Sequence, residues 1–248
     1  MRMRRGLRKH HFAAAEVYFA TGNSASDVAE RLKACHPDQI IWYRPGELSQ
    51  KIAERLGDIG VPMIGVSDGD RTPIRCHYQI SRGSAIAALM REWKKEAIAC
   101  VVVASGAKNP AADTGGIESI LDDAHLAVKY VKLGLRSIDA FVRSLGGSPK
   151  CGIILVHSAA SLLAIRAPEA LARLAACRRV AFVDGPVSTP FTKLSNVLVD
   201  MVTVDWVIAA RRIVNDLLTR KVRDHERPVV FEAIALSRVP LSGHAERF

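Results

Sequence analysis

Two kinds of apolar segment alternate along this chain. Short apolar runs closed by turn residues predict buried strands at Gln39–Tyr43, Val61–Val66, Cys100–Ala104, Gly152–Val156, Val180–Val183 and Val197–Val204. Shorter or more mixed runs at Glu16–Ala20, Ile74–Ile80, Leu126–Leu133 and Val229–Ile234 predict further strands. Between them, apolar residues recur at helical spacing. Val28, Leu32 and Cys35 form one stripe, opened by Ser24 with Asp27 at capping-box distance. Leu48, Ile52, Leu56 and Ile59 form the next, and Ile86, Leu89, Met90 and Trp93 a third. Helices are also expected over Ile117–Asp123, Ser137–Leu145 and Ser161–Ala176, the last broken near Pro168. A final one, Val207–Lys221, turns Ala210, Ile213, Val214, Leu217 and Leu218 to the core.

Strand and helix in regular alternation mean βαβ units and parallel sheets. The pattern divides into two sets. The set that starts at Ser81 is complete, whereas the set before it opens on a basic stretch, residues 1–12, instead of a strand. With 248 residues, 49% of them hydrophobic, the chain has ample material for two α/β subdomains.

The net charge of +10 adds little, because its clusters at Arg2–Lys9, Lys129–Lys132 and Arg211–Arg227 are dispersed and read best as solvated surface. No apolar run reaches the roughly 18 residues of a membrane span, and the N-terminus has no apolar signal-peptide core, so a cytoplasmic protein with no membrane partner is expected. The five cysteines, Cys35, Cys76, Cys100, Cys151 and Cys177, are odd in number, widely spaced and without a CxxC pair. That spacing suggests neither a disulfide framework nor a zinc site. Cys100 and Cys151 are expected to act as small hydrophobes inside strands.

In an open α/β sheet, ligands meet the carboxyl ends of strands. That rule selects Asp184, where a carboxylate can accept hydrogen bonds from ligand hydroxyls, or simply turn the chain before Gly185. His157 and Ser158 lie at another strand end, with Ser158 equally suited to cap the following helix. Trp42 and Tyr43 end a strand, so one faces inward and the other outward: an aromatic there either stacks on a ligand or packs in the core. Ser67, followed by Asp68-Gly69, and Lys108 and Asn109, in a Gly-flanked loop, complete the candidates. No GxSxG, GxxxxGK[ST] or HExxH motif is present, and adjacent His157 and Ser158 do not make a nucleophile–base pair, so no enzyme, cofactor or metal site is expected.

The order from Phe182-Val183-Asp184 through Met201-Val202-Thr203-Val204 and a helix to Leu236-Ser237-Arg238-Val239-Pro240-Leu241-Ser242 resembles the end of the LacI/GalR family of transcriptional regulators. There "GFD", "LTTV", a helix and "LVxRxS" follow one another. Asp38–Pro45 (DQIIWYRP) is similar to the family's "DGIIxxxP" strand, and Gly60–Asp70 (GVPMIGVSDGD) to its "xIPVVxVD" strand and turn. Gly152–Ile165 sits where the family has a strand, a polar pair and a helix. The resemblance runs from about residue 4 to Ser242.

It implies a periplasmic-binding-protein-like fold of two Rossmann-like parallel-sheet subdomains with a ligand cleft: residues 1–80 with 205–226, and residues 81–204 with 227–248. It implies a sugar-like effector, a homodimer, and DNA engaged only through a helix-turn-helix that is not in this chain. The family's first strand likewise has no counterpart here, which implies an N-terminally truncated region with the true start upstream of Met1. The cleft departs from the family at Ser67, at His157-Ser158, and at Lys108-Asn109 in place of an Arg, so the ligand need not be a common sugar. The alternatives are a solute-binding protein of a transport system and, in a different class, an α/β enzyme using Asp184 and His157.

Overall fold

The computed structural model describes residues 17, 23–43, 47–57, 60–67, 75–105, 117–134, 137–144, 151–156, 158–184, 196–219 and 227–241. The chain divides into two compact units, Met1–Ser81 with Trp206–Phe231 and Arg82–Asp205 with Glu232–Phe248. Each holds one sheet.

In the first unit β1 (Ile40–Tyr43), β2 (Met63–Ser67), β3 (Cys76–Ser81) and β9 (Val229–Glu232) lie side by side in that order. The β1–β2 and β2–β3 pairings are parallel. Helices α1 (Ala25–Ala34) and α2 (Glu47–Leu56) supply Val28, Ala29, Ile52 and Leu56 to a core that also holds Ile40 and Trp42. Full burial of side chains of this size contributes roughly 1.5–3 kcal/mol each, which outweighs the modest helix propensities of such short segments. Gly65 is required where β2 meets β3: a Cβ there would lie 2.6 Å from the Arg75 carbonyl oxygen, beside a shift in strand register.

Helix α8 (Trp206–Leu218) belongs to this unit, and its buried face is Ala209, Ile213, Val214 and Asp216. That corrects the expected stripe, for Leu218 is exposed and Ala210 and Leu217 are half-buried. The reason is Asp216, whose Oδ2 accepts from the Tyr78 hydroxyl at 3.1 Å and from Arg212 Nε at 2.7 Å. A carboxylate so satisfied can face inward and rotates the helix accordingly. Tyr78, fully buried on β3, also stacks on Phe231 of β9, ring centroids 5.8 Å apart. Burial raises the Tyr78 pKa well above 10, Asp216 adds to the shift by charge and hydrogen bond, and Arg212 opposes it.

Two smaller expectations for α1 also change. Ser24 occupies the N-cap position but makes no side-chain capping bond, and Cys35 is exposed, its thiol pointing back to the Arg31 carbonyl. The expected strand at Glu16–Ala20 lies outside the described residues except for Val17, which packs against the core.

The second unit is built on six strands in the order β10-β8-β7-β6-β4-β5. These are β4 (Cys100–Ser105), β5 (Ala127–Lys132), β6 (Cys151–Val156), β7 (Val180–Val183), β8 (Leu198–Thr203) and β10 (Ile234–Pro240). All pair in parallel except β10, which runs antiparallel to β8. One expected strand at the end of the chain is therefore two, separated at Ala233 and assigned to different sheets.

Strand alternation sends Val102, Ala104, Ile153, Leu155, Val180 and Phe182 to one face. There they meet residues of α5 (Ile138–Ser144), α6 (Ser158–Arg166) and α7 (Pro168–Cys177), among them Phe141, Leu163 and Leu171. Pro168 separates α6 from α7 as the first residue of the latter, where its missing N–H costs nothing. On the opposite face Trp93 of α3 (Gly83–Lys95) lies over Gly152, so close that a Cβ would overlap its ring. The short helix α4 (Ile117–Asp123) adds Ile117 and Leu121 to the buried set.

Toward the amino ends of β7 and β8 a polar network is buried. Both Asp200 oxygens accept from Arg179, Nη2 at 2.7 Å and Nε at 2.8 Å. Asp200 also accepts from Trp93 Nε1 at 2.8 Å and from the Arg238 backbone N–H at 2.9 Å. Arg179 reaches Glu96 as well. Desolvation works against its charge, but the hydrogen bond and attraction of Asp200, with Glu96 and Glu92, outweigh it and hold the guanidinium more firmly protonated than usual.

Cys100 and Cys151, expected to be separate hydrophobes, are joined by a disulfide. They are register partners on adjacent parallel strands, with Cα atoms 4.6 Å apart, which is within disulfide range. Sequence spacing gives no sign of it, because strand pairing alone brings together residues 51 positions apart. Among the described residues no helix is long and apolar enough to cross a membrane.

Candidate ligand site

Asp184 stands at the carboxyl end of β7, a central strand of the second unit's sheet. β7 ends at Val183, and the Asp184 N–H continues the ladder by donating to the Val202 carbonyl at 3.1 Å. The backbone then turns into the left-handed region, φ 50°. Few residues other than glycine settle there, aspartate being one of the tolerated types, and such conformations concentrate at binding sites.

The Asp184 carboxylate is met by the Arg82 guanidinium, and both side chains are only 9% exposed. Arg82 stands between β3 and α3, immediately before Gly83. A buried carboxylate without a cation would be strongly disfavoured, and Arg82 supplies that cation. Ser105, fully buried at the end of β4, lies at the same edge of the sheet. β6 ends at Val156, and Ser158 is the first residue of α6, so the chain position of Ser158 is at this edge too.

The other expected site residues divide as follows. In the first unit Trp42 is buried in the core and Tyr43 is 54% exposed, so the strand alternation holds. Tyr43 packs edge-on against Trp206, ring centroids 6.0 Å apart. Ser67 ends β2 and is buried. Trp42, Tyr43 and Ser67 thus share the carboxyl end of two adjacent parallel strands. Lys108, Asn109 and His157 lie outside the described residues, as does the side chain of Ser158.

Arg82 was not among the residues selected from sequence. Its only sequence signal is an arginine on the boundary between a strand and a helix that begins Gly-Ser, and a solvated arginine has the same appearance.

No protein-family model matches the sequence, and a search of curated proteins finds no significant match. Solved structures do match. A LacI family transcriptional regulator from Arthrobacter sp. FB24, in complex with lactose, aligns over 97% of this chain and 91% of its own at 16% identity, TM-score 0.70. The Escherichia coli transcriptional repressor ascG aligns over 97% and 92% at 16% identity, TM-score 0.65. A LacI family transcriptional regulator from Enterococcus faecium, with bound ribose, aligns over 97% and 91% at 12% identity, TM-score 0.66.

Proposed function

From this shared LacI-like effector-binding fold, we propose that the chain is the effector-binding region of a LacI-type transcriptional regulator and takes a small, polar, sugar-like molecule. The observation that carries the reading is the buried Arg82–Asp184 ion pair at the carboxyl end of β7, where the backbone is left-handed. Asp184 accepts hydrogen bonds from ligand hydroxyls, and Arg82 balances its charge. Ser158 contributes from the start of α6; Tyr43 and Ser67 are assigned on the resemblance alone, whereas Trp42 belongs to the core of the first unit. His157, Lys108 and Asn109 are assigned to the same site on the resemblance alone.

Ligand binding favours one conformation and, through a helix-turn-helix joined ahead of this region, changes DNA affinity. Coupling of this kind is typically about 1–3 kcal/mol. A homodimer in the cytoplasm, without enzymatic activity, belongs to the same reading. The test is a thermal-shift and calorimetric screen of sugars, polyols and nucleosides on the protein, repeated on Asp184→Asn. One chemical class should raise the unfolding midpoint and lose its effect in the variant. No stabilisation by any class removes the basis of the reading.

A second reading, a solute-binding protein of a transport system, is favoured by the Cys100–Cys151 disulfide, since such bonds persist mainly in oxidising compartments.

A further inference from the structure

Of the five cysteines, Cys35 and Cys177 are exposed and unpaired, and Cys76 is half-buried and not disulfide-bonded. Cys100 and Cys151 differ from them in three respects. They are the first residues of β4 and β6, so they sit on the amino edge of the second unit's sheet, opposite the carboxyl edge that carries Asp184. They are directly in register with Cα atoms 4.6 Å apart, within the span that a disulfide bridges. Both are half-buried rather than enclosed in the core, and Ala99, just before β4, is exposed.

We propose that Cys100 and Cys151 are a reversible thiol–disulfide couple that sets the stability of the second unit. The oxidant is a small-molecule disulfide such as oxidised glutathione. One cysteine thiolate attacks a sulfur of that disulfide, forms a mixed disulfide and expels one glutathione thiolate. The second cysteine thiolate attacks the protein sulfur of the mixed disulfide, forms the Cys100–Cys151 bond and expels the second glutathione. Two protein thiols are oxidised by two electrons, one external disulfide is reduced to two thiols, and the two protons pass to the departing thiolates.

The bond closes a loop of sequence separation 51 across α4, β5 and α5 and fixes β4 against β6. Directly after Cys151 comes Gly152, the contact point of the Trp93 ring, which is tied in turn to Asp200. Oxidation therefore pins the sheet at the point where α3 and the buried polar network rest on it. The device is separate from the proposed ligand site, and its success or failure is independent of ligand binding.

The experiment uses the full chain with Cys35, Cys76 and Cys177 replaced by serine, alongside the unaltered protein. Each is reduced, freed of reductant, equilibrated with oxidised glutathione while folded, alkylated, and mapped by peptide mass spectrometry. A Cys100–Cys151 cross-linked peptide is expected, with dithiothreitol restoring both thiols at unchanged circular dichroism. The oxidised form should melt roughly 5–15 °C above the reduced form, a difference absent in Cys151→Ser. Thiols that stay free, persistent glutathione adducts, a bond reducible only after denaturation, or equal melting of the two forms each overturn the proposal.

Discussion

Asp200 offers the sharpest test of how the second unit is held together. Its carboxylate is 1% exposed and takes four donors: two from Arg179, one from Trp93 and one from the Arg238 backbone. Asp200→Asn keeps the shape, removes the charge and places an NH2 group where two donors already point. Removing one partner of a buried ion pair costs about 3–5 kcal/mol, chiefly because the other charge is left uncompensated. Arg179 retains Glu96, whose carboxylate is about half exposed and compensates only weakly, so the expected loss is at the lower end, about 3 kcal/mol. With a urea slope of about 2 kcal/mol/M, the midpoint should fall by roughly 1.5 M, followed by tryptophan fluorescence. The double variant Arg179→Met/Asp200→Leu leaves no orphaned charge and should cost less than the two single changes added together. A loss below about 1 kcal/mol in Asp200→Asn, or strict additivity in the double variant, would refute the assignment of this network as an interdependent unit.

Three further outcomes are expected. Gly152→Ala should destabilise by about 3 kcal/mol in chemical denaturation, since its Cβ overlaps a Trp93 ring that cannot swing away without breaking the bond to Asp200, while Trp93→Phe should lessen the penalty of adding the methyl group. Because Tyr78 holds its proton more tightly when folded, its contribution is fully present below pH 10 and is lost as pH rises above that value, where the unfolded chain releases the proton first; Tyr78→Phe should flatten that alkaline slope in pH-dependent unfolding. Arg82→Met, which strands Asp184 without its cation, should weaken any neutral ligand found in the screen by at least about tenfold in calorimetry, and an unchanged affinity would remove Arg82 from the site.

The parallel-sheet order was legible because it rests on local signals. Val180–Val183 could be read as a buried strand from four apolar residues and the turn after them, and Trp93 as core from its helical spacing. Asp184 was found by the rule that strand carboxyl ends meet ligands. What escaped was pairing between distant residues. Arg179 and Asp200 are 21 positions apart and Cys100 and Cys151 are 51 apart, brought together by the strand order β8-β7-β6-β4. Arg82 and Asp184, 102 apart, meet because Arg82 stands at the start of α3. The face of α8 was misjudged for the same reason. An aspartate counts as polar in a periodicity, yet Tyr78 and Arg212 make Asp216 a core residue.

The partner of Asp184 also bears on the kind of ligand proposed. A lone carboxylate in a poorly hydrated site attracts cations, and an amine-bearing ligand would then be favoured over a neutral polyol by charge alone. With the Arg82 guanidinium against it, the pair carries no net charge, and the advantage of a cation is cancelled at short range. What remains is directional: a carboxylate whose oxygens accept hydrogen bonds along defined directions. That combination suits hydroxyl groups, whose position matters more than their charge. Amino sugars should therefore bind no better than the corresponding neutral sugars to the natural protein. The order should reverse in Arg82→Met, where the uncompensated carboxylate is free to select a cation.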